Sequence, residues 1–207
     1  MYHHLKKESF MHYKNMFTSS LLAGTMLCAT AFATDYTIDS SHSQVSFKIK
    51  HMGISTVSGY FEKFDGTFSY NPAKVGDSKA STTIMASSVN TNEPKRDAHL
   101  KSPDFFDAEK IPNITFTSTG VKAVDETHLQ INGDLTLHGV TKPVVLDAEF
   151  GGTVKDPMGN NRAAFTATTK INRKDFGMVF NKILDNGGLA VGDEVKIEID
   201  VEGIAKK

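Results

Sequence analysis

Apolar and polar positions alternate with a period of two along nearly the whole chain beyond residue 35, the pattern of strands that bury one face. Val45, Phe47 and Ile49 alternate with Ser46, Lys48 and Lys50, and Leu146, Ala148 and Phe150 with Asp147 and Glu149. Phe165, Ala167, Thr169 and Ile171 form another run, and Val195, Ile197, Ile199 and Val201 the cleanest one. Leu129 and Ile131, then Leu135 and Leu137, repeat the pattern on either side of Asn132-Gly133-Asp134, which reads as a turn. Further strands are expected over 57–70, 82–89 and 114–118. Asn71-Pro72, Gly151-Gly152, Asp156-Pro157 with Gly159-Asn160, and Gly187-Gly188 supply the remaining turns. Only residues 92–110 break the rhythm. Pro94 opens one short helix there, and Ser102, as N-cap before Pro103, opens a second that carries Phe105 and Phe106 against the sheet.

Many short strands separated by turn residues define an all-β, antiparallel barrel or sandwich with one or two short helices. The inward faces are rich in phenylalanine: the chain has 14 Phe and no Trp. In a closed barrel of about eight strands that face either fills the interior or encloses a ligand cavity, and the alternation alone does not separate the two.

The first residues do not belong to this pattern. Lys14 precedes a stretch from Asn15 to Thr34 with no charged residue, and the stretch closes on Ala31-Phe32-Ala33. A basic start, an apolar centre and a small-x-small end are the signature of a cleavable secretory signal. Thr18, Ser19, Ser20, Thr25 and Thr30 make the run too polar for an uncleaved membrane anchor. Residues 1–33 are therefore read as signal peptide and 34–207 as one mature domain; Met11 and Met16 are alternative starts. Cleavage after Ala33 removes Cys28, the only cysteine, and moves the net charge from −1 to about −3. Leu27 and Thr25 depart from a lipoprotein signal at that cysteine. The mature chain has no thiol and no disulfide, and its mild acidity argues against nucleic acid or an anionic membrane as partner.

No nucleophile elbow, zinc-protease motif, phosphate loop or dinucleotide fingerprint is present, so no catalytic residue is assigned. His42, His51, His99, His128 and His138 are scattered, without ligand spacing, so neither metal nor cofactor is expected. Asp104, Asp107 and Glu109 read as solvated charges beside a helix start.

The more specific strings run in order along the mature chain: Tyr36 to Phe47, His51-Met52-Gly53, Val57 to Gly66, Ser88-Val89-Asn90-Thr91, Arg96-Asp97-Ala98-His99-Leu100 through Asp107, Ile111 to Phe116, Gly133 to Val144, and Ile171 to Gly177. Together they closely resemble the YceI-like family, from Tyr36 to the end. The resemblance implies a lipocalin-like, extended barrel with a long apolar pore, a periplasmic location, and binding of a polyisoprenoid or similar amphiphilic lipid without catalysis. It favours a hollow interior over a filled one. Strand alternation then nominates Val45, Phe47, Ile49, Phe61, Ile84, Ile114, Phe116, Leu135, Leu137, Leu146, Phe165, Ile171, Val195 and Ile197 as pore lining, with Phe105 and Phe106 as a cap. Arg173, His42 and His51 are the candidates for a polar head group, Arg173 alternatively pairing with Asp97 or Asp175. A lipid-modifying enzyme using His42 or His51, or an interaction module using the outer face, are the competing readings. An exposed edge strand would allow a homodimer.

Overall fold

The computed structural model describes residues 33–185 and 187–207. The leader read from the sequence therefore lies, except for Ala33, outside the described residues. The strands are Thr34–Ile38 (β1), Gln44–His51 (β2), Ser55–Phe61 (β3), Phe64–Tyr70 (β4), Lys79–Met85 (β5), Val89–Asn90 (β6), Asn113–Ala123 (β7), His128–Leu137 (β8), Val140–Lys155 (β9), Asn161–Asn172 (β10) and Val191–Ala205 (β11), with one α-helix, Pro94–Lys101 (α1).

All pairings are antiparallel, and the order β1-β4-β5-β7-β8-β9-β10-β11 returns to β1, closing a ring of eight strands. The closure is made by Tyr36 opposite Ala205 and Ile38 opposite Gly203. β2 continues along the same edge of β11 that β1 leaves, with Ile49 opposite Val195 and Val45 opposite Ile199. β3 then pairs with β2, and the two residues of β6 with β3. Thus β1–β2, β3–β4 and β5–β6 are three broken strands whose halves β2, β3 and β6 continue the sheet past the ring at one end. Each strand of the ring has a neighbour on both sides, although the second half of β7 is unpaired on its β5 side, so the exposed edge through which two copies were expected to pair is confined to such stretches and to β6. Outward positions such as Lys48, Glu198, Asp147 and Glu149 are charged.

Two turns expected from glycine lie instead within strands. Gly133 sits inside β8, paired with Ser118 and Val144. A Cβ there would stand 2.4 Å from the Phe116 ring, so the glycine lets a neighbouring strand's aromatic ring lie across β8. Gly151-Gly152 lies within β9, where the register with β10 slips between Ala164 and Phe165, a β-bulge that keeps a 16-residue strand in the ring. The second helix is also absent. Ser102 caps the C-terminus of α1, its hydroxyl donating to the His99 carbonyl, and the N–H groups of Phe106, Asp107 and Ala108 return to the carbonyls of Leu100, Ser102 and Lys101. These bonds curl residues 102–108 into a tight loop instead of extending them as a helix. Pro94 does occupy the first turn of α1, with Glu93 as N-cap.

The closed end is held by an aromatic cluster. Tyr36 stacks on Phe68 at 4.8 Å, and Tyr70, Phe150 and Phe165 meet pairwise at 4.7 to 5.2 Å. Burial pushes the Tyr70 hydroxyl's pKa up. Outside this end, Arg162 of β10 binds Asp156 in the β9–β10 turn and Asp39 after β1, each at 2.8 Å, and Glu202 of β11. The network ties the broken first strand to the ring. Hydrogen bonds from Ser41, Arg162 and His42 hold the Asp39 carboxyl well below the usual carboxylate range, and Arg162 with Asn160 does the same for Asp156. Because these folded-state values are depressed, the network's stabilisation is complete above the ordinary carboxylate pKa of about 4 and is lost as pH falls further. The Tm gap between the wild type and Arg162→Gln is therefore expected to be constant from about pH 5 to 7 and to shrink below about pH 4. A gap unchanged down to pH 2 would show that charge is not what Arg162 contributes.

Candidate ligand-binding site

The barrel is hollow. A cavity of about 400 Å³ is lined by residues from both ends of the barrel, with walls that are almost entirely apolar. Burial along the inward positions shows the same thing independently. Val45, Leu135, Leu146 and Ile171 are buried, whereas Phe47, Phe116, Val195 and Ile197, which point to the same interior, remain half-exposed. In a filled core these positions would be buried alike; here they border empty space.

Every inward-facing residue nominated from the sequence lines this cavity, Phe105 and Phe106 included. The register explains why. Phe47 lies opposite Ile197, Ile49 opposite Val195, Ile171 opposite Val195, Phe116 opposite Leu135 and Ile84 opposite Ile114, so each apolar position is paired laterally with another on the same face. The aromatic cluster around Phe165 forms the floor. At the flared end the wall is completed by α1 and the segments after it, where β6 is too short to continue the sheet. Phe106 meets the Phe61 ring edge-on at 5.7 Å, and His99, Phe105 and Phe180 form a triangle with ring separations of 5.1, 4.9 and 5.3 Å. The cap therefore includes residues that the sequence pattern did not mark: His99, Leu100, Met178 and Phe180.

The three head-group candidates part company. His51 continues the inward row of β2 and lines the cavity. His42 does not: its Nδ1 lies 2.9 Å from Asp39 in an exposed turn outside the barrel. Arg173 is only 2% exposed yet does not line the cavity. Its Nε donates to the Gly192 carbonyl at 2.8 Å, Nη1 to the Met178 carbonyl at 2.6 Å and Nη2 to Asp193 at 3.3 Å. Its partner is thus Asp193, not Asp97 or Asp175, and its donors are spent on backbone. Of the remaining histidines, His99 bonds Asp104 at 2.8 Å, His128 bonds Asp125 at 2.9 Å and His138 faces the Phe176 carbonyl at 3.1 Å. The pairing raises the His128 pKa and holds Asp125, aided by two backbone N–H groups, at about 2. Among the described residues, Asp39, His42 and Glu202 come within metal-ligand reach of one another, but Arg162 already neutralises both carboxylates.

A floor of stacked rings, an apolar bore and a cap between β2, β3 and α1 together enclose the cavity. The YceI-like domain profile matches residues 36–203, which is the barrel from β1 to the last turn of β11. The chain belongs to the YceI-like family. A UPF0312 protein of Vibrio cholerae serotype O1 is 40% identical over 195 residues, covering 93% of this chain and 99% of that protein. The crystal structure of the Campylobacter jejuni YceI protein, 36% identical, superposes with a TM-score of 0.65 over 76% of this chain and 90% of the other. A polyisoprenoid-binding domain from Saccharophagus degradans, implicated in plant cell wall breakdown, shares the fold at 15% identity, with a TM-score of 0.58 over 83% of this chain and 98% of that domain. The YceI-like fold is thus an antiparallel barrel of eight strands here, with the cavity at its centre.

Proposed function

We propose that this YceI-like protein is a periplasmic carrier that sequesters a long-chain amphiphilic lipid, most simply a polyisoprenoid, and performs no chemistry on it. The observation that carries the reading is the hollow apolar bore. Burying a hydrocarbon there yields roughly 0.8 kcal/mol per CH₂ group, and a long tail gains enough to outweigh the cost of ordering it. The polyisoprenoid binding of the Saccharophagus degradans domain supports the choice of cargo. The basic, apolar, Ala31-Phe32-Ala33 order of the leader supports export, and an aqueous space between two membranes is where such a tail needs a carrier.

Full-length protein produced in a two-membrane bacterium tests both parts. The mature form is expected in the periplasmic fraction with Thr34 as its first residue, and native mass spectrometry followed by organic extraction is expected to release one long-chain lipid per chain. Protein that is consistently empty, and that takes up no isoprenoid alcohol when offered, would overturn the carrier reading. Retention of the uncleaved chain in the membrane fraction would overturn export.

A further inference from the structure

Four charged residues besides the cap histidine lie along the cavity wall. Lys50, Lys79 and Asp200 are exposed and sit at outward positions of the strand alternation, whereas Arg96 is half-buried. Arg96 lies on the first turn of α1, with His99 and Leu100 three and four positions on, so all three share the helix face turned to the cavity. It forms no ion pair among the described residues. Its only partner is Thr91: Nε donates to the Thr91 hydroxyl and Nη2 to the Thr91 carbonyl, both at 2.8 Å.

Thr91 is itself a fixed support. It is 4% exposed, and its N–H and hydroxyl both donate to Asp97 Oδ1. It also lies directly over Gly59 of β3, where a Cβ would stand 2.7 Å from the Thr91 methyl. The guanidinium is therefore oriented along one edge by a buried, doubly bonded threonine, while Nη1 has no acceptor among the described residues. The neighbouring carboxylate that would ordinarily neutralise it, Asp97, is turned to Thr91 instead. A cation held this way against an apolar bore calls for an anionic acceptor, since a planar guanidinium pairs best with the two oxygens of an oxyacid. His51, whose ring also has no protein partner, is the other polar group on the wall at the flared end, contributed by β2.

From this geometry we infer that the ligand of this cavity carries an anionic oxyacid head, phosphate or carboxylate, bound by Arg96 with its tail directed toward the aromatic floor. The inference rests on the carrier reading and narrows it: Arg96, and not Arg173, sets the head-group preference.

Competition binding with four defined probes tests it: geranylgeranyl monophosphate against geranylgeraniol, and oleate against oleyl alcohol. Tail contacts are common to each pair, so the ratio of affinities isolates the head. The wild type is expected to favour one or both anions by about tenfold or more, and the pair with the larger ratio identifies phosphate or carboxylate. Arg96→Gln is expected to bring that ratio to about one. Arg96→Lys, which keeps the charge and loses the planar fork, should lower it severalfold. Equal binding of anion and alcohol by the wild type would overturn the inference while leaving the carrier reading intact, and so would a ratio that survives Arg96→Gln. Should Arg96→Gln fail to fold, an unchanged ratio in Arg96→Lys overturns it and a lowered one supports it. Failure of all four probes to bind would instead overturn the carrier reading itself.

Discussion

Tryptophan at position 197 is expected to abolish lipid uptake while leaving the barrel folded. Ile197 points inward from β11, opposite Phe47 of β2 and Thr169 of β10, at mid-height of the bore. Its side chain is half-exposed although it faces no bulk solvent, because it borders the cavity. In a filled core a larger ring at this position would force neighbouring side chains off their rotamers, at a cost of about 1–3 kcal/mol. Here an indole has a void to enter, so the expected loss of stability is below about 1 kcal/mol. The tail, by contrast, loses its path along the bore, and affinity for a long-chain ligand should fall by at least about a hundredfold, near 2.8 kcal/mol at 1.4 kcal/mol per decade. Thermal unfolding and native mass spectrometry of Ile197→Trp read the two quantities separately. A large drop in Tm would mean that the interior is packed. Unchanged affinity would mean that the tail lies elsewhere, on the outer face that an interaction module would use.

The strands that place Ile197 were legible because half-buried strands print their geometry directly into the sequence: one face apolar, one polar, period two. The same logic explains what was misread. Gly133 and Gly151-Gly152 carry the composition of turns, but their role depends on a partner strand. Gly133 accommodates a ring from β7 and Gly151-Gly152 a bulge against β10, and neither partner is visible from the local sequence. The breaks that split 57–70 and 82–89 into β3–β4 and β5–β6 are likewise tertiary, produced where the sheet flares. At the site, the bore was readable and its cap only in part. Phe105 and Phe106 stood out as aromatic, but Met178 and Phe180 sit in an irregular segment with no periodicity to mark them. Arg96 lies on a short polar helix whose charges look solvated, and only the threonine five residues before it, seated over Gly59, reveals that it is fixed. Arg173 drew attention as a lone cation at a strand end. Its burial was foreseeable, but its true partners, twenty residues on in Asp193 and five on in Met178, follow from how the β10–β11 connection folds back.

That connection makes Arg173 the residue whose loss should cost most in stability. The segment from Met178 to Val191 carries Met178, Phe180 and Val191 into the cavity wall, and its own hydrogen bonds close it on itself, through Leu184 with Gly188, Lys182 with Ala190 and Asn181 with Val191. Arg173 fixes it to the barrel near both ends, bonding the Met178 carbonyl where it begins and the Gly192 carbonyl just beyond it, while the Met52 N–H holds the Ala190 carbonyl. Burial draws the Arg173 pKa down and Asp193 counters it, but the guanidinium stays charged at any pH the fold survives. Arg173→Met would leave two buried carbonyls without donors and Asp193 with only Lys174, at 2.8 Å. Loss of about 3 kcal/mol is expected, which for a domain of this size lowers Tm by roughly 6–12 °C. Arg173→Lys should recover only part of this, because one ammonium does not reach three acceptors in the plane that the guanidinium spans. Lys174→Ala, which removes the exposed partner of the same carboxylate, should cost less than about 1 kcal/mol. Bound lipid should also leave Arg173→Met faster than the wild type, since the released segment is part of the wall at the flared end. If Arg173→Met and Lys174→Ala proved equally mild, the connection would have to be anchored by the apolar contacts of Met178 and Phe180 and by the backbone pairing at Ala190 and Val191, and Arg173 would be a passenger in its own burial site.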